Sequence, residues 1–200
     1  MTDYSANDVL NAIASASKNL SARKDEVNRL NVFPVPDGDT GTNMSLTIES
    51  VVKNLQSLPA NPPVSDIRRA ITTGALMGAR GNSGVITSQI LRGLCEGSVG
   101  ETELNTASID AAFSKAVEVS FQAVRKPVEG TILTVLKDTA AAAKRVNKKK
   151  FELPEALDEI VREAYASVKR TPELLPVLKE HARVPIDSVE VHVEDVKVRR

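Results

Sequence analysis

The feature that most constrains the fold of this chain is a helical spacing of aliphatic residues that recurs along nearly its whole length. In segments such as 44–55, 85–94 and 131–146, apolar residues stand three or four positions apart with polar residues between them. Proline and glycine mark the intervening loops, where they end or interrupt helices. Before residue 185 no segment alternates apolar and polar residues as a strand does. The sequence therefore predicts an all-α fold of about eight or nine helices.

Capping residues and first-turn prolines predict where several of these helices begin. Ser65 is a candidate N-cap, and Pro154 is placed to open a helix that runs to about residue 169. Thr171 followed by Pro172 repeats the pattern of cap and first-turn proline, which predicts a short last helix. A short link around Asp25 is expected between the first two helical segments.

The end of the chain departs from this helical pattern. Val189, Val191 and Val193 alternate with polar residues, which is typical of a strand. A lone strand after an all-helical segment has no evident partner. We therefore expect a domain over residues 1–183 and an atypical tail over 184–200 that is a strand or disordered.

Charge and aromatic content argue against nucleic-acid binding. The chain has 26 Lys and Arg against 26 Asp and Glu, so its formal net charge is zero. With four Phe, two Tyr and no Trp, it has few rings on which bases could stack, and its core must be aliphatic.

The single cysteine, Cys95, cannot form an internal disulfide and is expected to pack in the core. Without a signal pattern or a membrane span, we expect a cytoplasmic protein.

The densest cluster of polar residues is DGDTGTN at 37–43, within a proline- and glycine-rich stretch that is predicted not to be helical. Its two carboxylates, Asp37 and Asp39, are the oxygen ligands that Mg²⁺ or Ca²⁺ prefers. A calcium loop beginning at Asp37 would need glycine at Thr42 and glutamate at Ile48, so that pattern fails. Magnesium is the better candidate. A simple turn that joins two helices is the alternative.

A second motif, GARGNSG at 78–84, is expected to interrupt the helices and lead into a helix that starts near Val85. Bare backbone N–H groups at a helix N-terminus favour an anion, although the motif is neither a Walker loop nor a Rossmann turn. The alternative is close helix packing mediated by glycine.

In a third motif, EGT at 129–131, Thr131 could cap a helix. A bundle that gathers these three loops at one end would form a metal and phosphate pocket.

Four segments in register carry a family resemblance over roughly residues 5–181, namely NVFPVPDGDTGTNMSLT, GALMGARGNSGVITSQILRG, KPVEGTILTVLKD and TPELLPVLKE. They resemble the N-terminal domain of bacterial fatty acid kinases, which is similar to the nucleotide-binding L subunit of dihydroxyacetone kinase (a DhaL-type domain). The resemblance implies a barrel-like bundle of about eight helices with the nucleotide at one end.

By this resemblance, Asp37 and Asp39 hold two Mg²⁺ ions that bridge the phosphates of ATP. Asn31 stands nearest to a third ligand, which is an Asp in dihydroxyacetone kinases. Arg80 is a candidate for stabilising charge on the transferred phosphoryl group, so the implied catalytic residues are Asp37, Asp39 and Arg80. The remaining positions that the resemblance places near ATP or ADP are Thr40, Gly41, Thr42, Asn43, Asn82, Ser83 and Thr131.

The resemblance implies a magnesium-dependent kinase module that converts a fatty acid, carried by a separate DegV-like binding protein, into an acyl phosphate. The acceptor is already a carboxylate and needs no general base. His181 and His192 have no motif around them and are expected to be surface or structural residues. A homodimer is compatible with the sequence.

Two other functions stay open. One is a subunit like that of dihydroxyacetone kinase with bound ADP, although those subunits typically carry a histidine where Thr40 stands. The other is a non-catalytic nucleotide-binding or regulatory module. After TPELLPVLKE, the family continues into a glycine-containing segment that closes over the nucleotide, and here HARVPIDSVEVHVEDVKVRR lacks those glycines. The altered tail favours the regulatory alternative.

Overall fold

The computed structural model describes residues 6–100 and 104–181, and every regular element in these ranges is a helix. The predicted all-α fold is therefore confirmed for this part of the chain. None of the helices described is long and apolar enough to cross a membrane. The predicted tail strand and His192 lie outside the described residues. The helices are α1 (Ala6–Ala22), α2 (Lys24–Arg29), α3 (Thr40–Gln56), α4 (Val64–Gly78), α5 (Gly81–Gly97), α6 (Thr106–Ala123), α7 (Ile132–Lys148), α8 (Leu153–Leu174) and α9 (Val177–His181).

The long helices from α3 to α8 form an antiparallel bundle in which each packs against the next along the chain, and α1 and α2 pack against α3. The direction follows from the contacts: the Asn147 amide near the end of α7 donates to Asp110 near the start of α6. Alternation places the N-termini of α3, α5 and α7 at the same end of the bundle. We call this end, which begins at Thr40, Gly81 and Ile132, the loop end.

The core is aliphatic, as the composition predicts. One cluster joins α3, α4 and α5 with partly buried residues of α1, and a second joins α6, α7 and α8. Cys95 lies in the first cluster and is buried, so the predicted packing role is confirmed. Burial raises the pKa of the Cys95 thiol, which keeps the sulfur protonated at neutral pH.

Glycines allow neighbouring helices to approach closely, so the packing alternative for the GARGNSG motif is realised. A Cβ on Gly78 would overlap the side chain of Ser50, and one on Gly84 would lie 2.7 Å from Thr47 Oγ1. The same device recurs along α5, where a Cβ on Gly93 would overlap Ala116 of α6. Such contacts hold α5 against both α3 and α6.

Two helices begin earlier than the sequence pattern predicts. Residues 40–43 were expected in a loop, but they form the first turn of α3, and α5 begins at Gly81 and not near Val85. The prolines of the preceding segment end at Pro36, so they do not restrain the backbone from residue 40 onward. Both glycine-containing first turns are further held by close packing on neighbouring chain segments.

The expected caps and breaks differ at three other places. Pro63 occupies the N-cap position of α4, so Ser65 lies inside the first turn. Asp25 lies within the short helix α2 and not in a link. Thr171 lies inside α8, where its hydroxyl donates to the Val168 carbonyl at 2.7 Å. Because Pro172 has no N–H to donate to that carbonyl, the Thr171 hydroxyl lets the helix continue.

Candidate functional site

The N-termini of α3 and α5 meet at the loop end of the bundle. The Ser83 hydroxyl donates to the Thr40 carbonyl oxygen at 3.4 Å, and a Cβ on Gly81 would overlap the amide nitrogen of Asn43. The structure thus brings together two of the three predicted loops, 37–43 and 78–84. The first N–H groups of each helix lack intrahelical acceptors, and the two helix dipoles point their positive ends to the same place. This arrangement favours an anion with several acceptor oxygens.

Asn43 is the most informative side chain at this junction. It is only 8% exposed, and its amide nitrogen has no hydrogen-bond partner. An unpaired buried donor costs about 1–3 kcal/mol, so such a group calls for a physical explanation. A phosphate oxygen bound against the N-termini of α3 and α5 would supply the acceptor.

The two acidic residues of the site flank the start of α3. Asp39 occupies the N-cap position, but its carboxylate makes no capping hydrogen bond. Asn31 donates from its amide nitrogen to Asp37 Oδ1 at 2.7 Å. The structure therefore places the three residues implied as metal ligands on one short segment before α3. The carboxylate of Asp39 is not used for capping.

The donor set fits magnesium in the presence of a phosphate. The described residues contain no group of three or more His, Cys, Asp or Glu that could enclose a metal ion by themselves. Mg²⁺ typically takes one or two carboxylates and completes its shell with waters and phosphate oxygens. Asp37 and Asp39, with the amide oxygen of Asn31, are such a partial set.

Asn28 was not predicted from the sequence and proves to be tied directly to the site. Its side-chain oxygen accepts from the Thr42 backbone N–H at 3.1 Å, and its amide nitrogen donates to Thr42 Oγ1 at 3.0 Å. A Cβ on Gly41 would overlap the Lys24 carbonyl, so α2 lies directly on the first turn of α3. The two partners are 14 residues apart in no recognised motif, and only the packing of α2 on α3 reveals the pair.

Arg80 occupies the N-cap position of α5 and is exposed. Its guanidinium donates to the carbonyls of Met77 at 3.2 Å and Ala79 at 2.8 Å, at the C-terminal end of α4. Arg80 therefore lies beside the place where the N-termini of α3 and α5 meet, but its guanidinium is hydrogen-bonded to the end of α4. Its implied role in stabilising a phosphoryl group stays a prediction, and so does the role of Asn82, which is exposed in the first turn of α5.

Thr131 caps α7 at the same end of the bundle. Its hydroxyl oxygen accepts from the Leu133 N–H at 3.4 Å, and the hydroxyl donates to the Val128 carbonyl at 2.8 Å. The capping role considered from the sequence is therefore confirmed. In the part of the chain that the structure describes, the hydrogen bonds of Thr131 remain within its own loop and helix and do not join it to Thr40 or Ser83.

The loop before Thr131 is held by an ion pair that the sequence analysis did not identify. Glu129 accepts from Lys137 Nζ at 2.5 Å and from the Thr134 hydroxyl at 2.6 Å. These hydrogen bonds, first that of Lys137 and then that of Thr134, hold the pKa of Glu129 below its usual value. Gly130 has a φ of +82° and abuts the Thr171 carbonyl, where a side chain would not fit. This third loop is thereby fixed against the end of α8.

Comparisons with known proteins point to one domain family. The sequence model of the family described as the DAK2 domain matches residues 34–195. Protein YloV of Bacillus subtilis (strain 168) is 45% identical over 168 residues, which cover 84% of this chain and 30% of YloV. Uncharacterized proteins of Staphylococcus haemolyticus and Staphylococcus aureus (strain USA300) are 45% and 46% identical over 168 and 169 residues, again 84% of this chain and 30% of each relative. The chain spans about 30% of the length of the curated relatives it matches.

Proposed function

This chain belongs to the DAK2 domain family, and from that premise we propose that its loop end binds ATP together with Mg²⁺ for phosphoryl transfer. The family is kinase-related, and a nucleotide is the ligand that such DhaL-type domains bind. The unpartnered amide of Asn43, buried where the N-termini of α3 and α5 meet, is the observation that carries the proposal.

The residues of the site have separable tasks in this proposal. The free N–H groups of the first turns of α3 and α5 hold phosphate oxygens, and Asn43 donates its amide hydrogen to one of them. Asp37 and Asp39, assisted by Asn31, hold magnesium, which when bound neutralises charge on the phosphates. Preorganised donors and charges of this kind supply most of the stabilisation in phosphoryl transfer, because the protein itself does little covalent chemistry.

We further propose that the acceptor is a fatty acid presented by a separate DegV-like binding protein, with an acyl phosphate as product and the cytoplasm as the location. The four motifs shared with fatty acid kinases support this acceptor over a sugar. A carboxylate is ionised at neutral pH and can attack phosphorus without a base. In longer relatives, regions beyond this domain would be available to engage the carrier.

A calorimetric titration of Mg-ATP into the purified chain tests the binding site. Asp39→Asn should weaken magnesium-dependent binding at least about tenfold, because one carboxylate of a two-carboxylate site loses its charge. Asp158→Asn is the matched control, since Asp158 is an exposed residue near the start of α8, at the opposite end of the bundle. Thermal unfolding of both variants should match that of the unaltered chain. Tight Mg-ATP binding by Asp39→Asn would refute the metal assignment.

Turnover assays separate the three functions. ATP consumption that requires a fatty-acid-loaded carrier supports the acyl kinase. Phosphorylation of dihydroxyacetone in the presence of a phosphocarrier supports the sugar-kinase alternative. Mg-ATP binding without turnover in either assay supports a regulatory module.

A further inference from the structure

We propose that Asn28 is a positioning residue that directs the hydroxyl proton of Thr42 toward a phosphate oxygen bound at the N-terminus of α3. The inference rests on the proposed nucleotide site and adds a residue from α2 to it. Asn28 itself does not contact the phosphate in this proposal, and its effect passes through Thr42.

The hydrogen bonds between the two residues determine which way the Asn28 amide is turned. The Thr42 backbone N–H can only donate, so the side-chain atom 3.1 Å from it must be the amide oxygen. The amide nitrogen of Asn28 then lies 3.0 Å from Thr42 Oγ1 and donates to it. One backbone group thus fixes the direction of both bonds.

The Thr42 hydroxyl is left as a donor in consequence. Its oxygen already accepts from Asn28, so its own proton must be directed to a different acceptor. Among the residues that the structure describes, no hydrogen bond from this hydroxyl to a protein acceptor is found. Thr42 lies in the first turn of α3, where an anion is favoured by the neighbouring N–H groups. A phosphate oxygen at that place is an acceptor for the Thr42 proton.

The position of Asn28 depends on the close approach of α2 to α3. Gly41, the residue before Thr42, is buried beneath the Lys24 carbonyl at the start of α2, where no side chain would fit. Asn28 stands one turn further along α2 and reaches the first turn of α3 from the side. The absence of a side chain at Gly41 therefore permits the Asn28–Thr42 pair.

Asn28→Asp is the substitution that tests whether Asn28 sets the direction of the Thr42 hydroxyl proton. A carboxylate accepts from both the Thr42 N–H and the Thr42 hydroxyl, so the hydroxyl proton would turn away from the phosphate. The Asn28→Asp substitution also adds a negative charge near the site. The effect of this charge on Mg-ATP affinity is measured separately by making the same substitution in a Thr42→Val chain, which has no hydroxyl to redirect.

The test is a calorimetric titration of Mg-ATP into four chains: the unaltered chain, Asn28→Asp, Thr42→Val and the double variant. Loss of a hydrogen bond to a charged group corresponds to roughly a tenfold or greater loss of affinity, which we expect for Thr42→Val. Thr42→Ser keeps the hydroxyl and should bind within about threefold of the unaltered chain. We compare the loss of Mg-ATP affinity that Asn28→Asp causes in two backgrounds. The loss should be at least about five times larger when Thr42 is present than when it is replaced by valine.

Equal effects of Asn28→Asp in the two chains would overturn the proposal, because only the added charge would then matter. Unchanged affinity in Thr42→Val would overturn it as well. Thermal unfolding without ligand reports whether each variant is folded. If Asn28→Asp does not fold, Asn28→Ala replaces it in the same four chains, because it also removes the group that directs the Thr42 hydroxyl, and equal effects in the Thr42 and Thr42→Val chains again overturn the proposal. Failure of the unaltered chain to bind Mg-ATP would instead refute the proposed function, and the role of Asn28 would fall with it.

Discussion

Replacing Gly41 with alanine adds a single methyl group and removes no polar atom, yet we expect it to separate α2 from α3. A Cβ at this position would overlap the Lys24 carbonyl, which belongs to the backbone and cannot turn aside. Helix α2 must therefore move away from the first turn of α3. Because Asn28 reaches Thr42 only while α2 lies against that turn, both of its hydrogen bonds should be lost together.

The free energy of unfolding should fall by about 3 kcal/mol in Gly41→Ala. Overpacking a closely packed contact costs about 1–3 kcal/mol. Two lost hydrogen bonds, each worth about 0.5–1.5 kcal/mol, add a similar amount. Alanine at a helical position offsets about 1 kcal/mol of this loss, because it has the higher helix propensity. The unfavourable contributions exceed the favourable one.

Gly93→Ala provides a matched control far from the loop end. It is also a helical glycine under close backbone contact, since a Cβ there would overlap the Cα atom of Ala116 in α6. This variant should lose about 1 kcal/mol of stability, because only overpacking opposes the gain in helix propensity. Urea unfolding followed by circular dichroism measures both losses, and titration with Mg-ATP measures the effect on the proposed site.

We expect Gly41→Ala to weaken Mg-ATP binding at a temperature where the chain is still folded, whereas Gly93→Ala should bind like the unaltered chain. The reasoning would be refuted if Gly41→Ala were as stable as the unaltered chain. It would also be refuted if the two variants lost affinity equally, since the loss would then follow general stability and not the contact between α2 and α3.

Two further predictions concern the stability of α6 and α7. Burial alone would raise the pKa of Asp138, but hydrogen bonds from Ser167 and Arg170 hold it below its usual value. A depressed pKa contributes stability that is present above about pH 4 and lost as the pH falls below it. Asp138→Asn should therefore be less stable than the unaltered chain at pH 7, and its free energy of unfolding should fall less than that of the unaltered chain between about pH 4 and pH 2. Urea titrations at these pH values measure both differences. Asn105 forms a capping box with Ser108 at the start of α6, and Asn105→Ala should lower the free energy of unfolding by about 1 kcal/mol, whereas Asn105→Asp should retain it because a carboxylate also accepts the capping bonds. An equal loss in both Asn105 variants would contradict the capping explanation.

Most of the helices could be predicted from the sequence, because the spacing of apolar residues and the capping residues that define a helix lie within the helix or next to it. Aliphatic spacing located the bundle helices, and Thr131 was recognised as a cap because the hydrogen bond it makes spans only two residues. The error at the start of α3 arose because a distant contact changes a local preference. Glycine suggested a loop at residues 40–43, yet close packing against Lys24 makes Gly41 suitable for the first turn of a helix.

The candidate site was predictable to a similar degree. Asp37 and Asp39 stand two residues apart, and the GARGNSG motif at 78–84 is continuous in sequence, so each pattern could be recognised without coordinates. Asn28 could not be found in this way, because its role depends on a contact between α2 and α3 and no neighbouring residue hints at it. Glu129 was missed for a related reason, since its ion pair with Lys137 crosses from a loop to the second turn of α7.

The sequence by itself determined the helical class, the aliphatic core and the residue types that can hold magnesium and phosphate, because these depend on periodicity and on the chemistry of single side chains. Only the tertiary structure decided which loops meet. Close approach through Gly81 and Gly84 joins the N-terminus of α5 to that of α3, and this junction buries the Asn43 amide without a partner. That outcome depends on the distance between helices, which follows from packing along the whole bundle and is not encoded at any one position.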